Sequence, residues 1–331
     1  MPRAMSMARP IGKTRTRLSP ATRRNLRNGL LFISPWLLGL IIFTAYPIIT
    51  TVYYSFTNFD GITFPPHWVG LDNYKTLFTN DPQYWPAVAN TIWWAAFSVP
   101  LSILFGVVLA LLLNLPVRGI GVYRTLFYLP SMVPAVGSTL LFLWLFNPSG
   151  GLVNGILGAL GLGQPGWFSD PTWAKPALLI QSLWGLGGGM IIYLAGLKDI
   201  PGELYEAAAI DGAHALRRLV HITLPLLTPT IFFNLVLNTI AAFNFFTQAL
   251  IVSSSPASLG GGGGNGVDNV GGPVDATLFY SLYLYQQVFG NFQFGYAAAM
   301  TCLMTIVVVL VTAGIFGTAR KWVYYHGSEI R

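Results

Sequence analysis

An all-α membrane protein that crosses the bilayer six times, with both termini on the cytoplasmic side, is the fold class this sequence predicts. Three observations carry it. Of the 331 residues, 53% are hydrophobic and 9% charged, where soluble domains carry about a quarter charged residues. Six apolar runs reach the ~20 residues that a bilayer requires. Sixteen of the 18 lysines and arginines lie ahead of the first run, after the last, or in alternate connections, which the positive-inside rule assigns to the cytoplasm. The net charge of +7 therefore marks topology rather than a nucleic-acid surface.

Residues 1–28 read as a basic cytoplasmic tail, with eight basic and no acidic residues between Arg3 and Arg27. The run after it is too long for a secretion signal and has no clean small-residue cleavage site, so it is expected to stay as a span. That first span covers about 30–54, with Trp36, Tyr46, Tyr53 and Tyr54 placed for the interfaces. A polar, proline-rich connection containing Gly70-Leu71-Asp72-Asn73-Tyr74 leads to the second span, about 87–113. Arg118 and Arg124 follow. The third span, about 125–146, holds Pro130 and Pro134 and is expected to kink or break there.

An amphipathic piece through Leu152, Ile156, Leu157 and Leu160 is expected along the outer surface. The fourth span, about 174–197, carries Gln181, Ser182 and Gly185-x-Gly187-Gly188-Gly189, small residues that admit a helix or a ligand to the backbone. The fifth span covers about 228–252. The loop after it contains five consecutive glycines from Gly260, a composition without a fixed fold. Thr277 to Phe289 reads as an amphipathic outer helix, and about 294–318 is the last span, ahead of a short tail over 322–331. Cys302, the single cysteine, lies in an apolar run and reads as a buried, inert thiol.

The segment 198–227 between the fourth and fifth spans is the most informative. Asp199 and Pro201 predict a helix start, and Leu204, Ala207, Ala208 and Asp211 recur at helical spacing. Gly212 predicts a turn that only glycine makes without steric cost. A second short helix through Leu216, Leu219 and Ile222 is expected to stop at Pro225, or to hand over there to the next element. Glu206-Ala207-Ala208, three residues, Gly212, nine residues, then Ile222-x-Leu224-Pro225 resembles the EAA loop of permease subunits in binding-protein-dependent ABC importers. Gly70 to Tyr74 resembles the "GL-x-NY" of sugar permeases in that family, Gly271-Gly272-Pro273 its "GGP", and Gly295 to Ala299 its "fGyAAA".

The resemblance runs from Gly29 to about Lys321 and lies closest to the branch holding the large maltose-transporter permease and the glycerol-3-phosphate permeases. It implies a type I ABC importer permease fold in a bacterial or archaeal cell membrane. It implies a coupling role toward an ATPase for Glu206, Ala207, Ala208, Asp211, Gly212, Ile222, Leu224 and Pro225. The partners implied are a second permease in a heterodimer, two ATPases that hold ATP and magnesium, and an external substrate-binding protein. No cofactor is expected in this chain beyond contact with membrane lipid.

The residues agree with a chain that is not itself an enzyme. Gly12-Lys13-Thr14 lacks the glycine a phosphate-binding loop needs, since Met7 stands there. The four histidines have no metal-ligand spacing, and no nucleophile elbow or carboxylate pair occurs. No charge lies in the middle of a span, which counts against proton or sodium coupling. Asn234, Asn238, Asn244 and Gln248 fall within about 120° on an ideal helix, and read either as inter-helix bonding or as a substrate path. The resemblance places the path at Gln181, Trp184, Gly185, Asn244 and Phe245, and the stripe adds Asn238 and Gln248. A sugar or polyol importer subunit is the leading expectation. A secondary transporter or channel acting without an ATPase is the alternative.

Overall fold

The computed structural model describes residues 20–255 and 271–324. The tail ahead of Pro20 with its Gly12-Lys13-Thr14, the glycine run from Gly260, and residues 325–331 lie outside these. The chain divides into two compact units, residues 1–51 and 52–331. Its described elements are helices, with one isolated bridge between Thr57 and Trp68.

The first unit is helical from Pro20. Helix α1 (Pro20–Leu40) passes through a π-helical turn, Ile41–Ala45, into α2 (Tyr46–Tyr54). The Tyr46 N–H reaches back five residues to the Ile41 carbonyl. Pro47 follows at once and has no N–H to donate; the widened turn moves the preceding carbonyls out of its way.

In the second unit, the start of the chain is locked by the motif at 70–74. Asn73 Nδ2 donates to the carbonyls of Ser55 and Thr57, both at 2.9 Å, and the Tyr74 hydroxyl donates to Ser55 Oγ at 2.9 Å. Helix α3 (Asp72–Thr79) leads to α4 (Tyr84–Leu113). Asp81 Oδ1 accepts from the free N–H groups of Gln83 and Tyr84, and Arg124 donates twice to the last carbonyl, that of Leu113. A side chain therefore caps each end of this helix.

The third expected span is two helices, α5 (Ile120–Tyr128) and α6 (Ala135–Leu145), bent by 96° across Pro130 and Pro134. The fourth is also a bent pair, α8 (Pro171–Trp184) and α9 (Gly187–Lys198), turned by 50°. Here the sequence predicts one span, and the break falls at Gly185-Leu186. The short α7 (Leu152–Ala159) lies between these pairs in sequence. A Cβ on Gly187 would sit 2.7 Å from the Tyr128 Cα, so only glycine lets the two breaks meet backbone to backbone.

After the elbow described below, α12 (Leu224–Phe243) and α13 (Thr247–Ser253) replace the expected continuous fifth span. Helix α14 (Tyr280–Phe289) begins three residues later than expected, and its Leu282 and Tyr283 are buried. Helix α15 (Phe294–Trp322) ends the described chain, with Cys302 half-buried on it rather than buried. Among the described residues four helices are long and apolar enough to cross a membrane, or up to six spans if each bent pair is one. One of the buried clusters of the second unit lies where α4 packs against α9 and α12, through Val107, Ala110, Met190, Tyr193 and Leu227.

Candidate functional site

Two places collect the residues singled out from the sequence. The first is the elbow. Asp199 does not start its helix. It closes α9, its N–H bonded to the Ala195 carbonyl, and α10 (Gly202–Ile210) starts behind Pro201 with no side-chain acceptor. The intervening Ile200 is buried, which turns Asp199 outward. At the far end Gly212 has φ +74°, with its N–H on the Ala209 carbonyl and the Ala213 N–H on the Ala208 carbonyl. This pair of bonds is the Schellman closure that favours glycine. A Cβ at Gly212 would meet nothing within 4 Å, so the requirement is one of backbone conformation alone.

The second arm does not stop at Pro225. Helix α11 (Ala215–Arg218) runs through a π-helical turn, Leu219–Thr223, straight into α12. The Leu224 N–H bonds to the Leu219 carbonyl, five residues back, as at Pro47. Glu206, Ala207, Asp211 and Gly212 are exposed and Ala208 is half-buried, while Ile222, Leu224 and Pro225 are half-buried at the base. Tyr205, not singled out from the sequence, ties the arms together: its hydroxyl is 2.9 Å from Thr223 Oγ1. Ile210 and Leu216 are 87% and 63% exposed, apolar side chains on the free face. His214 Nδ1 accepts from the Arg217 N–H as a cap for α11, and His221 bonds to the Arg217 carbonyl. Among the described residues no metal-binding cluster forms.

The second place is a cavity of about 470 Å³ inside the second unit. It opens where three helices break: between α5 and α6, between α8 and α9, and between α12 and α13. Each break frees backbone from its helical ladder, which hydrocarbon tolerates only inside protein or along a cavity. Gln181, Trp184, Gly185, Asn238, Phe245 and Gln248 all line it. Asn244 does not. It ends α12, its Nδ2 donating to the Ile240 carbonyl at 2.8 Å and its backbone N–H to Ile240 and Ala241.

The ideal-helix stripe is thus divided at Asn244. Asn234 is buried with its Nδ2 on the Thr230 carbonyl, Asn238 and Gln248 face the cavity, and Asn244 faces out. The Phe243 carbonyl freed by the break accepts from Ser281 Oγ at 3.2 Å. Ser98, Ser102, Ser131 and Tyr193 also line the cavity and were not singled out. The i, i+4 spacing of Ser98 and Ser102 in an apolar helix was the available signal.

A cation near the start of α8 is held by α4. Lys175, one turn into α8, is half-buried, donates to Asn90 Oδ1 at 3.0 Å and stands 5.1 Å from the centre of the Trp93 ring. Asn90 Nδ2 in turn donates to the Asp275 and Leu278 carbonyls, so the chain after Gly271-Gly272-Pro273 is fastened to α4 and α8.

Comparison with known proteins agrees with this architecture. Residues 102–318 match the family model of the binding-protein-dependent transport system inner membrane component. The chain is 41% identical to the probable ABC transporter permease protein YesP of Bacillus subtilis, over 94% of this chain and 96% of that one. It is 33% identical to the lactose transport system permease protein LacF of Rhizobium radiobacter, over 89% and 94%. It is 32% identical to the sn-glycerol-3-phosphate transport system permease protein UgpA of Escherichia coli, over 89% and 95%. A crystallised chain of a bacterial alginate ABC transporter, in complex with its alginate-bound periplasmic protein, superposes with a TM-score of 0.75. That match has 24% identity and covers 90% of this chain and 96% of that one.

Proposed function

The chain belongs to the family of binding-protein-dependent transport system inner membrane components, and from that membership we propose how it works. It is a multi-pass, non-enzymatic permease subunit, and the cavity at the three helix breaks is its stretch of the path for a sugar or related polyol. Relatives named for lactose, diacetylchitobiose and sn-glycerol-3-phosphate transport support that substrate class. The four long helices and two bent pairs act as six spans of a cell inner membrane, with both termini and the elbow cytoplasmic. A second permease completes the path, two ATPases hold ATP and magnesium, and an external binding protein delivers the substrate.

One observation carries this reading: six of the residues chosen for the path from sequence line a single cavity, while the glycine-closed arm with Glu206 stays exposed. In this mechanism closure of the ATPases presses on α10. The free apolar pair Ile210 and Leu216, with Glu206 and Asp211 beside them, forms the contact. Pro225 and Leu224 pass the movement to α12, whose inner face carries Asn238 on the cavity wall. The test is to express the chain with its neighbouring genes, purify through a tag on this subunit, and assay ATP hydrolysis in lipid. An ATPase should co-purify and be stimulated by the saccharide-loaded binding protein. Saccharide movement through the isolated chain, with no ATPase bound, would replace this reading with a channel or secondary transporter.

A further inference from the structure

Between Phe56 and Gly70 the chain folds back on itself around the antiparallel bridge of Thr57 and Trp68. The Asn58 N–H donates to the His67 carbonyl at 3.1 Å, and the Val69 and Gly70 N–H groups donate to the Phe56 carbonyl at 2.9 and 3.1 Å. The His67 N–H reaches Asn58 Oδ1 at 2.9 Å. At the tip, the Ile62 and Thr63 N–H groups reach Asp60 Oδ1 at 2.9 and 2.7 Å. Pro65 and Pro66 have no N–H to satisfy. A loop standing in water can leave such groups to the solvent; this one bonds them within itself. Asp60 is the sole Asp, Glu, Lys or Arg between 56 and 70, and its carboxylate is turned onto the loop's own tip.

The apolar side chains point the other way. Ile62 is 81% exposed, Phe64 69% and Trp68 64%. Trp68 stacks on Phe56 at 5.3 Å and meets Tyr53 at 6.1 Å, and Tyr53 and Val52 are exposed on the last turn of α2, at the end of a membrane-spanning length of helix. On its other side the loop is fastened to the start of α15. The Gly295 N–H donates to the Phe59 carbonyl at 2.8 Å, and the Phe59 ring lies 5.8 Å from that of Phe294. The loop thus sits level with the ends of two apolar helices, where tryptophan is enriched at membrane interfaces. We propose that residues 61–68 are a membrane anchor, with Ile62, Phe64 and Trp68 seated in the headgroup–acyl boundary of the leaflet at which α15 begins. Lipid is the occupant the geometry favours: the patch continues the exposed apolar surface of α2, and the amides are bonded internally, as an apolar medium demands. The anchor fixes the depth of α15, because Gly295 has no room for a Cβ against the backbone of Thr57 and Phe59. It does not depend on the reading of the cavity as a transport path.

The experiment uses the complete complex in nanodiscs of phosphatidylethanolamine and phosphatidylglycerol, which leave both faces open to solutes. Cys302 is the single cysteine of this chain, and the partner subunits are made free of reactive cysteine. Cys302→Ser then gives a background in which Ile62→Cys, Phe64→Cys or Lys75→Cys carries one nitroxide label. Lys75, exposed and paired with Asp72, is the water reference. Power-saturation electron paramagnetic resonance reads collision of each label with lipid-soluble oxygen and with a water-soluble nickel chelate. The oxygen-to-nickel ratio at 62 and 64 should exceed that at 75 several-fold. A ratio equal to that at 75 would put the loop in water and overturn the anchor. Low access to both reagents would show a protein subunit on the patch, and would overturn it as well. Each labelled variant keeps the other two apolar side chains, so either position decides if the other fails to assemble.

Discussion

The ring of Trp94 on α4 lies stacked on that of Phe245, centroids 4.1 Å apart and planes inclined by 29°, across the break that ends α12. Phe245 also meets Phe279 edge-on at 5.1 Å. The pair closes one side of the cavity and holds the irregular residues between α12 and α13 in place. Such pairs contribute about 0.5–1.5 kcal/mol beyond the area they bury. A double-mutant cycle of Trp94→Ala and Phe245→Ala, read by thermal melting of the complex, should return a coupling of that size. Additive losses would show that the rings merely share a wall.

Gly212 should tolerate asparagine better than valine. Its φ of +74° costs a β-branched residue about 1–3 kcal/mol, whereas asparagine visits that region readily. Since the space around the site is open, size is irrelevant. Uptake should be largely kept in Gly212→Asn and lost in Gly212→Val at equal complex yield. Equal uptake in the two variants would mean that the turn has no bearing on coupling.

Gly187 presents the opposite case. Gly187→Ala forces a methyl group against the Tyr128 backbone, and overpacking of this kind costs about 1–3 kcal/mol. Gly188→Ala, whose nearest neighbour would be 3.9 Å away, should be close to neutral. Melting temperatures of the two purified variants decide it, with a fall expected for Gly187→Ala alone.

Asn244 and Gln248 should separate by phenotype. Asn244→Leu removes a bond to the Ile240 carbonyl, worth about 0.5–1.5 kcal/mol, and should lower the melting temperature without moving the KM for uptake. Gln248→Leu should raise the KM several-fold with complex yield unchanged. The reverse assignment would move the path off the cavity and onto the outward face of α12.

Asp60, in the loop after α2, is the group with a clear pH signature. Its carboxylate accepts from the N–H groups of Thr63 and Ile62 and from the Thr63 hydroxyl, which lowers its pKa to about 2. A depressed folded pKa contributes above the unfolded value of about 3.9 and is lost as pH falls through the folded one. Exchange protection of the two amides should therefore hold down to about pH 4 and fade toward pH 2. Fading between pH 5 and 7 would contradict this geometry.

Where chemistry forces the backbone, the sequence was legible. Pro130 and Pro134 lack the donors a helix needs, and α5 and α6 part there; Gly212 is left-handed because the closure demands it. Other breaks carry no such mark. At Gly185 the small residues read as a surface for a neighbour, and the bend of α8 against α9 is a matter of packing at Gly187. The stripe of amides assumed 100° per residue throughout, a period that ends at Asn244, where α12 stops and α13 begins only at Thr247. Asp199 read as a cap since the pattern of cap and proline is local, whereas burial of Ile200 is tertiary. Ser98, Ser102 and Ser131 were passed over for the same reason, since which face of a helix meets a cavity is set by tertiary packing.

From Ala215 to Phe243 the chain is helical without interruption, the π-helical turn included, roughly 40 Å at about 1.5 Å per residue. Leu227, fully buried with its Cδ1 3.1 Å from where Gly196 would carry a Cβ, stands midway between Leu216 and Asn238. The rod has the form of a seesaw, with its fulcrum in the core and equal arms of roughly 16 Å. A rigid tilt of about 10° would swing Leu216 by roughly 3 Å and Asn238 by as much the other way. Displacements at the elbow and at the cavity wall would then be equal and opposite, with no slack joint between them.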